Sequence, residues 1–438
     1  MSLLEAAASE IKRKINDLRG IGVPSFVERD LPILAADRVV SVLVGARRCG
    51  KSFRCFQEIQ ELIRTGWLTS LHDVCAIDFD NPHLSRLAAT DLGGIRDTFL
   101  SMTPSAGLQS HILFLFDEIH RIDGWEDFVV ELSRNPSWRV LVTGSSSRML
   151  KTDISTTLRG KSLTTTIYPL SFREFLRFRE IGPVDSTEGR ARSAAAFHEY
   201  LTWGGFPQVA QVTTPVREAL LREYFDTMIL KDIIQRYNVS RPRQCISLYR
   251  YLLSLIAKPF TQNSALNYLR QSGSSATGSL VADYINWAED SWFLFGIPMF
   301  SDSQSEISRN YRKCYCIDWG LATQNSQAWD GSNSRAFENM VYIHLKRLFP
   351  RVNYYLTRAR RQEVDFIAAD TGGKPVVAVQ ACMKLGDGGV LEREVPPLAA
   401  AAKYFGIKDA LLITTDEERT IEHEGTSVRM VPAWRWMA

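Results

Sequence analysis

The stretch RVVSVLVGARRCGKSFRCFQEIQELI, residues 38–63, decides the fold of the first part of the chain. Its apolar run at 39–44 predicts a short strand, a loop with two glycines follows, and a helical pattern begins near Ser52. A strand, a glycine loop and a helix in this order form the context that a phosphate-binding loop requires. The stretch therefore predicts an α/β domain that binds phosphate at the end of its first strand.

The loop has the residue types that such a site needs. Gly45 and Gly50 permit backbone angles that turn successive N–H groups inward, and the N-terminus of the helix adds a partial positive charge. Lys51 is expected to reach the β- and γ-phosphates of a nucleotide, and Ser52 to hold Mg²⁺. The sequence thus predicts ATP and Mg²⁺ as cofactors. The residues expected to bind ATP are Gly45, Ala46, Arg47, Arg48, Cys49, Gly50, Lys51, Ser52 and Phe53. A glycine turn with a purely structural role is the alternative.

A second predicted strand carries the acidic residues that nucleotide hydrolysis needs. In HILFLFDEIHRIDGWEDF, residues 111–128, the apolar run at 112–116 suits a central parallel strand and ends in Asp117 and Glu118. Asp117 would orient the Mg²⁺ shell, and Glu118 would polarise the attacking water. A pair of solvated carboxylates on a loop is the alternative.

Further strands complete the pattern. The apolar strand in WRVLVTGSSSRML, residues 138–150, ends in hydroxyl residues, and Thr143 or Ser145 would hydrogen-bond the γ-phosphate or the attacking water. Small residues at a strand end also serve turns, which is the alternative. With DVCAIDFDNP before and LTTTIYPLSFREFL after, five strands separated by helical patterns indicate a parallel α/β sheet. The candidate catalytic residues are Glu118, Lys51 and Thr143.

Composition narrows the class of protein. The 438 residues, 45% hydrophobic and 23% charged, fit a globular protein with two or three domains. With 52 Lys plus Arg against 49 Asp plus Glu, the net charge of +3 gives no global argument for nucleic acid or an anionic membrane. The seven scattered cysteines contain no CxxC pair, which suits a reducing cytosol and argues against a zinc site. Because no signal peptide and no run of about 18 apolar residues is recognisable, a cytoplasmic protein is expected.

Several motifs follow one another in an order that resembles one protein family. They are GARRCGKS, LFLFDEIHRIDGWEDF, VLVTGSSSRML, LRGKSLTTTIYPLSFREFL, YLTWGGFPQV, YCIDWGLA, AFENMVYIHLKR and EVDFIA…VVAVQ. The chain resembles bacterial and archaeal AAA-type ATPases that carry a C-terminal domain of unknown function with a nuclease-like core. The resemblance implies a homo-oligomer, because such domains commonly complete their sites across a subunit boundary. It assigns the Walker A and Walker B roles to Gly45, Gly50, Lys51, Ser52, Asp117 and Glu118.

The sequence departs from that family where an arginine finger would be assigned. Many relatives have Gly-Arg after the sensor strand, whereas this chain has Gly160 and Lys161. Arg148 and Arg159 lie close enough in sequence to substitute.

The sequence predicts four parts, with a boundary near 180–195, where Gly, Pro, Ser and charged residues follow one another without periodicity. The four parts are an N-terminal helical extension (1–36), an AAA+-like P-loop ATPase core with a parallel sheet (37–180), a helical connector and winged-helix region (181–310) and a restriction-endonuclease-like α/β domain (311–438). In the third part, FTQNSALNYLRQSGSSATGSLVADYINWAEDSWFLFGIPMF resembles a winged helix-turn-helix. Its second helix carries acidic residues but no Lys or Arg, which favours packing or subunit contact over DNA binding. These acidic residues are Asp283, Glu289 and Asp290.

The fourth part resembles the PD-(D/E)XK core of metal-dependent nucleases. Glu338 lies on an amphipathic helix, and Asp365 in EVDF falls where the metal-binding aspartate belongs. Gln380 takes the place of a second carboxylate and Cys382 that of the lysine, so the cation is missing unless Lys384 supplies it from the same face of the strand. Glu338, Asp365 and Gln380 would therefore hold a metal ion only if the nuclease site is active. A degenerate core that binds DNA or a protein partner is the favoured hypothesis.

A local basic and aromatic surface is predicted beside this core. Its residues are Lys346, Arg347, Arg351, Tyr354, Tyr355, Arg358, Arg360 and Arg361. Such a patch suits DNA, whereas arginines paired with acidic neighbours of the same chain are the alternative. The whole sequence thus predicts a Mg²⁺-dependent, DNA-linked AAA+-like ATPase that works as a switch without a membrane partner. An ATP-regulated nuclease and an ATP-gated scaffold for protein partners are the rival hypotheses.

Overall fold

The computed structural model describes residues 3–103, 110–145, 158–182, 186–329, 331, 333–358, 361–384 and 389–438. The chain forms two compact units, Met1–Ile167 and Tyr168–Ala438. None of the helices within the described ranges is long and apolar enough to cross a membrane. The division between the units falls inside the predicted 37–180 core, and the four-part division of the chain stays a prediction.

The first unit contains a parallel sheet of five strands. Its helices and strands are α1 (Leu3–Ile21), β1 (Val40–Val44), α2 (Lys51–Arg64), β2 (Val74–Asp78), α3 (Gly93–Ser101), β3 (Ile112–Asp117), α4 (Glu126–Ser133), β4 (Trp138–Gly144) and β5 (Ser162–Thr166). The strand order is β2-β3-β4-β1-β5, and every neighbouring pair is parallel. The predicted five-stranded parallel α/β sheet is confirmed.

Burial explains why these residues form the centre of the sheet. All five residues of β1 and the first five of β3 are buried, as expected for parallel strands that are covered on both faces. Leu43, Leu115 and Leu141 from three strands pack in one cluster with Ile59 and Leu62 of α2. This packing holds α2 against the sheet, so the loop between β1 and α2 is fixed at both ends.

Helix α1 is amphipathic. Ala7, Ile11, Ile15 and Leu18 are buried and recur every three or four residues, which places them on one face. The helix packs against α3 and β2 of the same unit.

The second unit contains two sheets and most of the helices. Its helices are α5 (Phe172–Phe178), α6 (Thr187–Trp203), α7 (Pro207–Ala210), α8 (Thr214–Thr227), α9 (Pro242–Ser254), α10 (Gln262–Gln271), α11 (Gly278–Asp290), α12 (Gln304–Arg309), α13 (Trp319–Asn325), α14 (Asn333–Leu348), α15 (Gly389–Phe405) and α16 (Ala433–Trp436). Its strands are β6 (Pro259–Phe260), β7 (Leu294–Ile297), β8 (Arg312–Cys316), β9 (Arg351–Leu356), β10 (Glu363–Ala369), β11 (Pro375–Ala381), β12 (Asp409–Thr414), β13 (Arg419–His423) and β14 (Thr426–Pro432). A π-helical stretch, Met228–Gln235, continues α8.

The larger sheet has six strands in the order β13-β14-β12-β11-β10-β9. Strands β9, β10 and β11 are antiparallel neighbours, whereas β11, β12 and β14 run parallel. Leu398 and Ala402 of α15 pack in one core cluster with Ile367, Ala378 and Leu412 of the sheet. Helix α15 therefore covers one face of this mixed sheet.

The smaller sheet has three antiparallel strands in the order β6-β8-β7. Its middle strand β8 carries Cys314 and Cys316, which are both buried. Strand β8 lies in the part predicted as nuclease-like, whereas β6 and β7 lie in the part predicted as a winged-helix region. The small sheet therefore crosses the predicted boundary at residue 310.

Candidate functional sites

The loop between β1 and α2 turns through backbone angles that favour glycine. Gly45 has φ 156° and Gly50, at the start of α2, has φ 97°. A Cβ atom on Gly45 would lie 2.2 Å from the carbonyl oxygen of Ile167, which leaves no room for any side chain. Arg48 also has a left-handed backbone, with φ 69°. The loop is therefore a tight cradle, as expected of one that binds phosphate with its N–H groups.

Lys51 lies buried beneath this loop. Its ammonium donates to the carbonyl oxygens of Gly45 and Ala46, each at 3.2 Å. It also forms an ion pair with Glu118, whose Oε1 atom is 3.3 Å away. The predicted phosphate-binding cation and the predicted activator of water are thus in direct contact.

Ser52 and Asp117, the two predicted Mg²⁺ ligands, also meet. The Ser52 hydroxyl donates to Asp117 Oδ2 at 2.6 Å. The Thr143 hydroxyl donates to the other oxygen of Asp117 and accepts a hydrogen bond at 3.0 Å from the backbone N–H of Glu118. Thr143 thus contacts both acidic residues, a role that the prediction of a nucleotide sensor did not include.

The two carboxylates at the end of β3 differ in charge environment. Burial alone would raise the pKa of Glu118, but the charges of Lys51, His120 and Arg47 outweigh it and lower that pKa to about 2. Burial and the neighbouring charge of Glu118 raise the pKa of Asp117. Glu118 is held as an anion in a left-handed backbone conformation with φ 54°.

The remaining predicted nucleotide-site residues differ in exposure. Ala46, Cys49 and Ser145 are buried, whereas Phe53 is exposed. Arg47 lies 3.5 Å from Asp80. Arg148 lies outside the described residues, and the side chains of Arg159 and Lys161 are exposed.

Arg29 supports the loop and was missed in the sequence analysis. Its guanidinium donates to the carbonyl oxygen of Cys49 at 2.8 Å, and its backbone exchanges two hydrogen bonds with the side chain of Gln57. Arg29 lies in the predicted N-terminal extension and outside every quoted motif, so its sequence context gives no signal that it contacts the loop.

The loop and its neighbours fit a nucleotide with Mg²⁺. The space that a Cβ atom on Gly45 would fill, the buried ammonium of Lys51 and the paired oxygens of Ser52 and Asp117 are the features such a ligand uses. Across the described residues, no group of three or more His, Cys, Asp and Glu side chains is placed to hold a metal ion.

A second cluster of charged residues lies in the second unit, and we call it the carboxylate cluster. It contains Glu338 of α14 and both Glu363 and Asp365 of β10, gathered around the ammonium of Lys313 from β8. The distances from Lys313 Nζ are 2.6 Å to Glu338 Oε1, 2.9 Å to Glu363 Oε1 and 3.3 Å to Asp365 Oδ1. Only 1% of the Lys313 side chain is exposed.

The pKa values in the carboxylate cluster reflect mutual interaction. Burial alone would lower the pKa of Lys313, but Glu338, Tyr315, Asp365 and Glu363 raise it well above its usual value. Burial and the charge of Glu338 raise the pKa of Asp365 to about 8, against the opposing effect of Lys313. The lysine therefore stays charged while the three carboxyl groups share its single charge.

Gln380, predicted as a third metal ligand, is turned toward other partners. Its Oε1 atom accepts from the backbone N–H of Asp365 at 3.1 Å, and its Nε2 atom donates to Glu394 Oε2 at 2.6 Å. Glu394, on α15, was missed in the sequence analysis, and so was Lys313. A lysine in the middle of an otherwise buried strand, YRKCYC, is the signal that would have found Lys313, since a buried cation needs carboxylate partners.

Lys384 could supply the missing cation only if the strand that carries Gln380 continued that far and placed Lys384 on the same face as Cys382. Strand β11 ends at Ala381, so the strand does not continue to Lys384 and the prediction of a shared strand face with Cys382 is wrong. Lys384 instead lines a cavity of about 810 Å³ beside the carboxylate cluster, together with Arg393 and Glu394.

The prediction of an exposed aromatic and basic surface is also wrong for its tyrosines. Tyr354 and Tyr355 are buried. Arg347 donates to the backbone oxygens of Pro169 and Leu170. The other basic residues have neighbours in the chain or are not described: Lys346 donates to Pro350 O, Arg361 donates to Asn310 Oδ1, Arg358 lies over the ring of Tyr404, Arg351 is exposed, and Arg360 lies outside the described residues.

Two regions of the chain match known families. Residues 37–176 match the family described as an AAA domain, and residues 194–329 match a domain of unknown function (DUF8612). An uncharacterized protein of Methanocaldococcus jannaschii is 27% identical over 423 residues, which cover 94% of this chain and 90% of that protein. An uncharacterized protein of Haemophilus influenzae is 25% identical over 329 residues, which cover 75% of this chain and 79% of that protein.

Among solved structures, the Walker-type ATPase of Pyrococcus abyssi aligns with a TM-score of 0.41 and 16% identity, over 66% of this chain and 90% of that one. The match at residues 37–176, the five-stranded parallel sheet and the glycine cradle agree with one another. Residues 37–176 are therefore similar to an AAA domain in sequence and have the parallel-sheet α/β fold of P-loop nucleotide-binding proteins.

Proposed function

We propose that this protein is a Mg²⁺-dependent, ATP-binding and ATP-hydrolysing switch of the AAA+ type. The observation that carries the proposal is the meeting of four side chains at the loop: Lys51 with Glu118, and Ser52 with Asp117. Phosphoryl transfer to water needs a cation for the phosphates, oxygen ligands for Mg²⁺ and a base for the water. Lys51 would supply the cation, Ser52 and Asp117 the oxygen ligands, and Glu118 the base.

Each side chain has a role in that reaction. The Ser52 hydroxyl and the Asp117 carboxylate would hold Mg²⁺, which neutralises phosphate charge when bound. Lys51 would leave Glu118 and contact the β- and γ-phosphates. Once Lys51 has turned away, the charge that lowers the pKa of Glu118 is partly removed, so Glu118 becomes a stronger base toward the attacking water.

The second unit is proposed to bind DNA or a protein partner. The order α9, β6, α10, α11, β7 and β8 supports a winged helix. The meeting of Glu338 of α14 with Asp365 of β10, and the hydrogen bond from the Asp365 backbone N–H to Gln380, support a degenerate nuclease-like core. We also propose a homo-oligomer, which gel filtration with and without ATP tests, and a cytoplasmic location, which the free cysteines support.

An ATP-regulated nuclease is the second candidate, because Lys313 brings the cation that the Cys382 position lacks. Plasmid cleavage in Mg²⁺ or Mn²⁺ that is lost in Asp365→Ala would establish it. If the wild type does not cleave the plasmid, or if Asp365→Ala cleaves it equally well, the nuclease-like core does not cleave DNA with a metal ion at Asp365.

Steady-state ATP turnover with and without duplex and single-stranded DNA tests the main proposal. Lys51→Ala and Glu118→Gln should each lower turnover by about 100-fold or more. Lys12→Ala, at an exposed lysine of the same unit, is the control and should turn over ATP like the wild type.

The outcomes separate three hypotheses. DNA stimulation that Lys51→Ala and Glu118→Gln both lose would make this a DNA-linked ATPase. ATP turnover that DNA does not change would favour the hypothesis that the second unit binds a protein partner. Wild-type behaviour of Glu118→Gln would contradict hydrolysis at this site and favour a scaffold whose shape ATP fixes.

A further inference from the structure

All three hydrogens of the Lys313 ammonium are used in hydrogen bonds to the carboxylate cluster. A lysine ammonium has three hydrogens to donate. Glu338, Glu363 and Asp365 each accept one of them through a single oxygen. Since the side chain is also buried, neither water nor a ligand reaches the ammonium without displacing a carboxylate.

The carboxylate oxygens of the cluster also accept hydrogen bonds from donors other than Lys313. The Tyr311 hydroxyl donates to Glu363 Oε2 at 3.0 Å, and the backbone N–H of Ala381 donates to Asp365 Oδ2 at 3.0 Å. The Tyr315 hydroxyl donates to Glu338 Oε1 at 2.7 Å, beside the bond from Lys313. Three of the donors come from one segment: Lys313 and Tyr315 lie at alternate positions of β8 and so face the same side, and Tyr311 directly precedes the strand.

Three carboxyl groups from two different elements, α14 and β10, meet at a single cation, Lys313, and carboxylate oxygens are the ligands that hard divalent ions prefer. Such ions bind carboxylate oxygens and cannot share one position with a lysine ammonium. Three carboxylates without a cation would repel one another in a buried place, so some positive charge must stand at their centre. Lys313 stands there.

We propose that Lys313 is a built-in cation that takes the place of a divalent metal ion among Glu338, Glu363 and Asp365. The wild-type cluster consequently binds no divalent ion, and removal of the lysine charge turns the cluster into a divalent-ion site. The proposal is independent of ATP turnover. The proposal and the nuclease candidate exclude each other, because a wild-type protein without a divalent ion at Asp365 does not cut DNA there.

Mn²⁺ binding to the nucleotide-free full-length chain tests this inference. The amount bound is measured by electron paramagnetic resonance of free Mn²⁺, in the wild type, Lys313→Met, Lys313→Arg and the double variant Lys313→Met with Asp365→Asn. Lys313→Met should bind one more Mn²⁺ per chain than the wild type. Lys313→Arg keeps the charge and should bind no more than the wild type, and the double variant should bind the additional Mn²⁺ at least tenfold more weakly. Any Mn²⁺ held near Ser52 and Asp117 is common to all four proteins and cancels in the difference.

Two results would overturn the proposal. One is a folded Lys313→Met protein, with a wild-type circular dichroism spectrum, that binds no additional Mn²⁺. The other is Mn²⁺ binding by the wild type that Asp365→Asn alone removes, since the lysine would then accompany a metal ion rather than replace it.

Thermal unfolding keeps the test decisive if Lys313→Met folds poorly. In that case Mn²⁺ should raise the melting temperature of Lys313→Met but not that of the wild type or Lys313→Arg. If Lys313→Met stays unfolded at every Mn²⁺ concentration, the wild type and Asp365→Asn decide: equal Mn²⁺ binding supports the proposal, and a loss in Asp365→Asn overturns it.

Discussion

Two buried lysines in this protein bind carboxylates in different ways. Lys51 contacts one carboxylate, Glu118, and two backbone carbonyl groups, whereas Lys313 contacts three carboxylates and no backbone group that the structure records for its ammonium. A phosphate can replace a single carboxylate as the partner of a lysine, but it cannot replace three at once without leaving them uncompensated. The number of carboxylates therefore separates a cation that is available to a ligand from one that is part of the core.

The carboxylates show the same difference. Glu118 faces several cations and has a pKa lowered to about 2, whereas Asp365 shares one cation with two other carboxylates and has a pKa raised to about 8. Both are buried beside a lysine. The sign of the shift follows from the local balance of charge and not from burial alone.

The largest expected effect concerns stability after removal of each lysine. Lys313→Met leaves the buried Asp365 and the partly exposed Glu338 and Glu363 without their cation, and it should lower the free energy of unfolding by about 3–5 kcal/mol in metal-free buffer. Lys51→Met leaves one carboxylate that His120 and Arg47 still face, so about 1–3 kcal/mol is expected. Urea denaturation of both variants measures the difference. Lys408→Met and Lys12→Met, at exposed lysines, should change little, and an equal loss in Lys51→Met and Lys313→Met would break the comparison.

A second prediction concerns the hydroxyl that joins Asp117 and Glu118. Thr143→Val keeps the shape but removes the bonds to Asp117 and to the backbone N–H of Glu118, so the free energy of unfolding should fall by about 1–3 kcal/mol. Thr143→Ser keeps the hydroxyl and is the matched control. If both variants unfold at the same urea concentration as the wild type, Thr143 does not hold the acidic pair.

A third prediction concerns pH. Asp365 binds its proton more tightly when folded than when unfolded, because burial and Glu338 disfavour its charge, with Lys313 opposing and Glu363 adding to the effect. Its contribution to stability is therefore complete below about pH 4 and is lost as the pH rises toward 8, by at most about 1.4 kcal/mol per pH unit. The free energy of unfolding of the wild type should fall across this range relative to Asp365→Asn. Parallel pH profiles would show that Asp365 does not hold a proton in the folded state.

The smallest expected effect is on nucleotide affinity. Glu118→Gln removes the charge that pairs with Lys51, so a fluorescent ATP analogue should bind about fivefold more tightly, the equivalent of roughly 1 kcal/mol. Asp127→Asn, at an exposed carboxylate of α4, is the control and should bind like the wild type. Weaker binding by Glu118→Gln would mean that Lys51 does not have to leave Glu118 for phosphate to bind.

Much of the first unit could be predicted from sequence because its signals are local. The glycine loop, the apolar strand before Asp117 and the run of alternating strands and helices each lie within a short segment. The contacts of Thr143 and Arg29 were missed, since each depends on a residue more than 15 positions away. Residue type and spacing indicate which side chains are suited to a site, but not which backbone groups hold them.

The carboxylate cluster could be predicted only in part for the same reason. Glu338 and Asp365 were found because they belong to a family motif, whereas Lys313 comes from a strand of another sheet, 52 positions before Asp365 in the sequence. The PD-(D/E)XK motif places the cation on the strand of Gln380, where Lys384 is the nearest lysine in the sequence. The chain topology instead places Lys313, from a strand of the small sheet, beside these carboxylates.

Strand β8 has an evolutionary consequence. It is the middle strand of the small sheet and the source of the lysine among the carboxylates of the large one. If a gene rearrangement replaced everything up to residue 316, the carboxylates of the large sheet would lose their cation. If a rearrangement instead removed everything from residue 312 onward, β6 and β7 would lose the strand between them. The two sheets should therefore be inherited together, as one module and not as two exchangeable parts.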